Sequence, residues 1–166
     1  MSTKRRQRRA SSVPRHPRVV ENRQKRLSMS LPRLESFFLR MNQELGLGPD
    51  AAFVRFVTDR EMLRLNERFR KKTNTTDVLS FPSETRSQPR TLRRRTMELR
   101  GSFLGDIAIS PTVARRNAKA FGRTMSEEIC ILMLHGVLHL LGYDHETDRG
   151  EMERVEATLR RRLGLS

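Results

Sequence analysis

Three of the four histidines, His135, His139 and His145, fall within H-G-V-L-H-L-L-G-Y-D-H. His135 and His139 are four residues apart. On a helix that spacing stacks two side chains on one face, one turn apart, so both imidazoles can reach one ion. Gly142 follows the last apolar residues and can take the left-handed conformation that ends a helix. A turn there brings His145 round as a third ligand. Three nitrogen ligands with an open fourth position are what a single catalytic Zn2+ needs.

The spacing H-x3-H-x5-H, with Gly three residues after the second His, resembles the metal-binding run of the metzincin peptidases. Those enzymes carry a Glu after the first His as general base. Here that position is Gly136. The expectation is a metal-dependent hydrolase that is not a protease. A lone histidine pair at helical spacing is often merely structural. The third His and the helix-ending Gly favour a metal site. Its structural version is a closed site with Asp144 or Cys130 as fourth ligand, although structural zinc usually prefers several Cys.

The elements that must position these residues come next. A chain of 166 residues suits one domain with a real core. No apolar run reaches the length of a membrane span. A single cysteine, Cys130, excludes a disulfide framework and fits a reducing compartment, so a cytoplasmic location is expected. In its apolar surroundings Cys130 reads as a small buried hydrophobe. The net charge is +15, and residues 1–30 alone carry +9 of it. A polyanionic partner follows, with RNA or the ribosome the obvious candidate. A solvated tail explains the N-terminal charge equally well.

Residues 1–17 lack an apolar signal region and read as a disordered basic arm; residues 18–166 read as the domain. Val19–Val20 begin a short strand. Ser30-Leu31-Pro32 opens a helix with Leu34, Phe37, Phe38, Met41 and Leu45 on one face. Ala52–Val57 reads as a strand. Thr58-x-x-Glu61 is a capping box for a helix carrying Met62, Leu65, Asn66 and Phe69. Val78–Pro82 is a short strand. Residues 83–100, with Arg86, Arg90, Arg93, Arg94, Arg95 and Arg100, read as a long basic loop. Ser102–Ser110 is another strand, and Ser110-Pro111 starts a helix with Ala114, Ala118 and Phe121 inward. Thr124-x-x-Glu127 caps the nearly all-apolar helix that carries the histidine pair. Asp148–Leu163 is amphipathic, with Met152, Val155, Leu159 and Leu163 inward, and Arg160–Arg162 suit its C-terminal dipole. The result is an α+β domain whose strand order is not legible.

Four stretches in this order carry a resemblance: L-N-E-R-F-R (Leu65–Arg70), T-T-D-V-L-S-F-P (Thr75–Pro82), L-G-D-I-A-I-S (Leu104–Ser110) and the histidine run. Together they resemble the YbeY family of bacterial rRNA-maturation endoribonucleases, from about Val19 to about Leu163. The resemblance implies a zincin-like fold, with a small mixed sheet of about four strands and helices around a central metal-bearing helix. It implies one Zn2+ on His135, His139 and His145, and a required Arg70. It implies a single-strand-specific endoribonuclease acting in 16S rRNA 3′-end maturation and ribosome quality control. The implied partners are single-stranded rRNA, the small ribosomal subunit and ribosome-associated proteins. The basic loop at 83–100 and the arm at 1–17 depart from the usual family pattern.

Arg70 is the candidate phosphate clamp, since a guanidinium can bind two non-bridging oxygens at once. As an ordinary loop arginine it would pair with Asp77 or Glu67. Gly136 cannot be a base. Asp144, Asp106, Asp77 and metal hydroxide all remain candidates, and the 2′-hydroxyl is a candidate nucleophile. Asp106 reads better as a residue orienting a ligand or capping a turn, and Asp77 as fixing its own loop. Two other classes fit less well: a ribosome-binding factor with a structural metal, and a zincin-like metallopeptidase. With no Trp and only Tyr143, recognition should lean on phosphate charge rather than on a base-stacking platform. Tyr143 should pack at the helix turn.

Overall fold

The sheet is built around Ala52–Phe56, whose alternating side chains are buried at Ala52, Val54 and Phe56. The structure, a computed structural model, describes residues 18–83, 96–97 and 99–165. The arm at 1–17 and most of the basic loop, including Arg86, Arg90 and Arg93–Arg95, lie outside the described residues. In chain order the elements are β1 (Val20–Asn22), α1 (Leu31–Glu44), β2 (Ala52–Phe56), α2 (Asp59–Arg70), β3 (Val78–Pro82) and β4 (Gly105–Ile109). Then follow α3 (Pro111–Ala120), α4 (Met125–Leu140) and α5 (Glu151–Leu163). The sheet order is β1-β2-β4-β3. β2 runs parallel to both β1 and β4, whereas β3 pairs antiparallel with β4 and forms an edge. This is a mixed α+β fold.

The two faces of the sheet are covered unequally. Val54, Phe56, Ile107 and Ile109 share the main core with Phe38 and Met41 of α1 and with Ile129, Met133, Leu134, Val137 and Leu138 of α4. On the other face α2 contributes Met62 to a small cluster with Val57, Leu79 and Ala108. α4 packs against α1, α3, α5, β3 and β4. That central position follows from its composition, because a helix apolar on nearly every side can only be buried.

Its start is fixed locally. The Thr124 hydroxyl accepts from the Glu127 amide, and the Glu127 carboxylate accepts from the Thr124 amide, a complete capping box. At Thr58 the side chain likewise accepts from the Glu61 amide. α5 begins at Glu151, later than the expected Asp148. The Asp148 carboxylate instead caps it, accepting from the amides of Gly150, Glu151 and Met152. β4 is shorter than the expected Ser102–Ser110, starting at Gly105. Phe121 corrects a third expectation. It sits at the C-cap of α3 rather than on its inward face, is 65% exposed, and carries the Arg123 guanidinium 4.8 Å from its ring centre. Among the described residues no helix is long and apolar enough to cross a membrane.

Candidate active site

α4 presents His135 and His139 from its last turns, and the chain reverses at Gly142, whose φ is +87°. That left-handed turn lets the Tyr143 amide bond back to the Leu138 carbonyl and returns His145 to the pair. One ligand atom from each of the three imidazoles lies within 4.8 Å of the other two.

The tautomers are set from behind. Nδ1 of His139 donates to the Tyr143 carbonyl at 2.9 Å. Nδ1 of His135 donates to the Glu156 carboxylate at 2.7 Å. In the neutral rings both Nε2 atoms therefore carry lone pairs, and they face each other 3.1 Å apart. Two lone pairs aimed at one point repel unless a cation sits between them. Zinc–nitrogen bonds of about 2.0 Å at the tetrahedral angle put ligand nitrogens roughly 3.3 Å apart. The donor set and its spacing thus fit one zinc ion. Burial, with the neighbouring His135 and His145, lowers the pKa of His139 to about 4, so its lone pair is available at neutral pH.

Glu156 is held in turn by Arg160 on the next turn of α5, through its other oxygen. Burial would raise the Glu156 carboxyl, but the His135 hydrogen bond and the charges beside it outweigh that, and the net shift is downward. Arg160, read from sequence only as a charge suited to the helix dipole, thus anchors the carboxylate behind a histidine. One sequence signal could have found Glu156: an acid interrupting the apolar stripe of Met152, Leu159 and Leu163, where burial demands a partner.

The histidines open into a cavity of about 840 Å³ that Arg70 also lines. Arg70 ends α2, and its Nη2 bonds Glu146 Oε1 at 3.1 Å. It pairs with neither Asp77 nor Glu67. Glu146, next to the third histidine, is an acid that sequence reasoning passed over, and nothing in its spacing singled it out. The pair is exposed on both sides, 42% and 55%, so it is worth at most about 1 kcal/mol. An incoming phosphate can replace Glu146 at small expense.

The other candidates separate cleanly. Asp77 does fix its own loop: Oδ1 accepts from the Val78 amide and Oδ2 from Asn117. Asp106 neither orients a histidine nor caps a turn, and its Oδ1 instead faces Arg55 at 3.4 Å on β2. Asp144 lines the cavity, but its carboxylate accepts from the Glu146 amide and the Thr147 hydroxyl. The amide bond is the main cause that lowers its pKa. Cys130 is buried in the core, outside the histidine cluster, and burial pushes its thiol up to about 12. Neither it nor Asp144 belongs to the three-residue ligand cluster. Tyr143 packs at the turn and is 3% exposed.

Gly136 explains the missing base position. A Cβ there would meet Ile107 Cγ2 at 2.8 Å. The residue after the first histidine faces the sheet, pressed against β4, and no carboxylate fits.

Comparison with known proteins finds relatives in one family. The family model described as "Endoribonuclease YbeY" matches residues 19–164. An endoribonuclease YbeY of Solibacter usitatus is 48% identical over 135 residues, covering 81% of this chain and 80% of the relative. One of Campylobacter jejuni is 41% identical over 115 residues, covering 68% and 75%. The solution structure of a Thermotoga maritima protein aligns with a TM-score of 0.56 at 25% identity, covering 87% of this chain and 88% of that one.

Proposed function

The chain belongs to the endoribonuclease YbeY family, and from that premise we propose that it is a zinc-dependent endoribonuclease specific for single-stranded RNA. Its place is the maturation of the 16S rRNA 3′ end and ribosome quality control, in the cytoplasm, with the small subunit and ribosome-associated proteins as partners. The observation that carries this reading is the convergence of two Nε2 lone pairs, 3.1 Å apart, in an open cavity that also holds Arg70. The zincin-like reading of the fold rests on the histidine pair being borne by a helix packed beneath the sheet.

His135, His139 and His145 would hold the ion. A zinc ion held there would supply Lewis acidity toward a phosphoryl oxygen and would bring the pKa of a water to about neutral pH. Glu156 and the Tyr143 carbonyl orient the two helix-borne imidazoles. Arg70 leaves Glu146 and takes two non-bridging oxygens of the scissile phosphate, where charge builds during cleavage. Freed of Arg70, the Glu146 carboxylate stands beside the third histidine and can accept a proton from the attacking hydroxyl or water.

The peptidase alternative loses its base to Ile107, as Gly136 leaves no room for one. A closed structural site is disfavoured by the cavity, which leaves the ligands accessible. The test is cleavage of an end-labelled single-stranded RNA by zinc-loaded protein, with chelator-treated protein and His139→Ala alongside. Cleavage lost in both controls is expected, and a cyclic phosphate on the product would assign the 2′-hydroxyl as nucleophile. Folded, zinc-loaded protein that leaves both free RNA and ribosomal particles intact would sink the reading in favour of a binding factor.

A further inference from the structure

α2 ends in an exposed cluster, R-F-R-K-K, in which the apolar residue is the exception. Phe69 is 55% exposed although it sits on a helix of this domain. Leaving so large a ring in water forgoes the burial that would normally stabilise it. Its surroundings are ordered. The ring of Phe81, on edge strand β3, lies edge to face with it at 5.0 Å, and the Arg68 guanidinium lies 5.3 Å from its centre.

The position of the pair matters more than its exposure. Phe69 and Phe81 line the histidine cavity together with Arg70. The same two rings also line an adjoining, largely apolar groove with Val57, Leu65 and Ala108, with Arg55, Glu61 and Asp106 also on its walls. They therefore form the wall between the metal-binding cavity and an apolar slot. A phosphate held by Arg70 at the histidines would carry its attached nucleoside past this wall. The surroundings select the occupant: Arg68, Arg70, Lys71 and Lys72 repel a cationic partner and attract a polyanion, while the rings offer a flat apolar surface. A strand of nucleic acid supplies both a charged backbone and flat π-faces, and only unpaired bases leave those faces free.

We propose that Phe69, braced by Phe81, is a stacking subsite for one unpaired nucleobase next to the phosphate being cleaved. The subsite makes single-strandedness a requirement of the active site, because a base held in a duplex cannot reach the ring. It adds one local base contact to recognition that otherwise runs through phosphate charge. This inference rests on the ribonuclease reading, and wild-type protein keeps the two apart.

The chain has no Trp, so Phe69→Trp places a lone indole at the subsite. Zinc-loaded Phe69→Trp is titrated with a cleavage-resistant 2′-O-methyl phosphorothioate strand and with its abasic counterpart of equal charge. Wild type and Phe69→Ala are titrated with both by anisotropy. The base-bearing strand should quench the indole and the abasic strand should not. Phe69→Ala should lose on the order of tenfold in affinity for the base-bearing strand, the effect of one stacked base, and nothing for the abasic strand. Phe69→Trp should retain wild-type affinity. Equal losses on both strands, or no loss on either, would overturn the subsite while wild type still cleaves RNA. Wild type that neither binds the strands nor cleaves RNA would overturn the ribonuclease reading and the subsite with it.

Discussion

At the scale of single residues, the proposed mechanism separates groups that touch substrate from groups that aim them. Arg70 is assigned there to the first kind. Its present bond to Glu146 is exposed and cheap to exchange, so removing it leaves the fold intact. Arg70→Ala should lower kcat about a hundred- to a thousandfold, roughly 3–4 kcal/mol of transition-state stabilisation. Arg70→Lys should recover only part, since an ammonium cannot make the two-point contact; full recovery would reduce Arg70 to a point charge. Glu156 aims. Glu156→Gln keeps the shape but loses the carboxylate behind His135, and zinc affinity measured against a chromophoric chelator should fall about 10–100-fold. Unchanged affinity would show that the bond at 2.7 Å does not tune the ligand. His139 sets a pH limit on the metal-free protein. Its folded pKa is lowered from 6.5 to about 4, chiefly by burial. Between those values the unfolded chain takes a proton that the folded chain refuses, so stability is retained above pH 6.5 and declines toward pH 4. His139→Gln should flatten that part of a urea-denaturation series, and an unaltered profile would mean that other groups govern it.

At the scale of elements, legibility depended on whether the determinants were local. α4 was readable from Thr124, Glu127 and an apolar run, because a cap and a hydrophobic pattern are properties of neighbouring residues. The histidine triad was readable for the same reason, with Gly142 marking the turn. Asp106 is misread because its partner Arg55 lies across the sheet and is set by packing, and Phe121 because α3 ends one residue before it, at Ala120. Glu156 was passed over because what it holds lies on another helix. Strand order could not be read at all, and β3 reaches the cavity only because it forms an edge beside β4. Gly136 shows the same limit most sharply. Sequence marks it as a missing base, whereas the structure makes it the contact that lets α4 approach Ile107. Gly136→Ala should therefore destabilise the protein by about 1–3 kcal/mol through overpacking. Ile107→Ala, which removes Cγ2 together with Cδ1, should make the two losses less than additive in a double-mutant cycle read by urea denaturation. Additive losses would mean that the helix, not the contact, bears the strain.

At the scale of the whole molecule, charge and site do different work. The net charge of +15 is far more than one phosphate clamp requires. A scissile phosphate and one stacked base define where cleavage occurs, but they offer few contacts with which to hold a long strand. The surplus arginines suit that second task. Each phosphate contact on a single strand contributes about 0.7 to the slope of log affinity against log salt. Residues 83–100 follow directly on β3, whose last residue, Pro82, lines the cavity, so a strand leaving the site starts close to where this basic stretch begins. Replacing Arg93, Arg94 and Arg95 by Gln should then weaken binding of a single strand and flatten that slope by up to about 2, three contacts' worth. Affinity should fall by the same factor on base-bearing and abasic strands, because the lost contacts are to the backbone. That equality is the opposite of the signature expected at Phe69, so the two substitutions divide recognition into a salt-dependent part held by arginines and a base-dependent part held by a ring. An unchanged slope would take Arg93–Arg95 off the RNA path and leave the remaining basic residues, such as Arg68, Lys71 and Lys72 at the end of α2, to guide the strand.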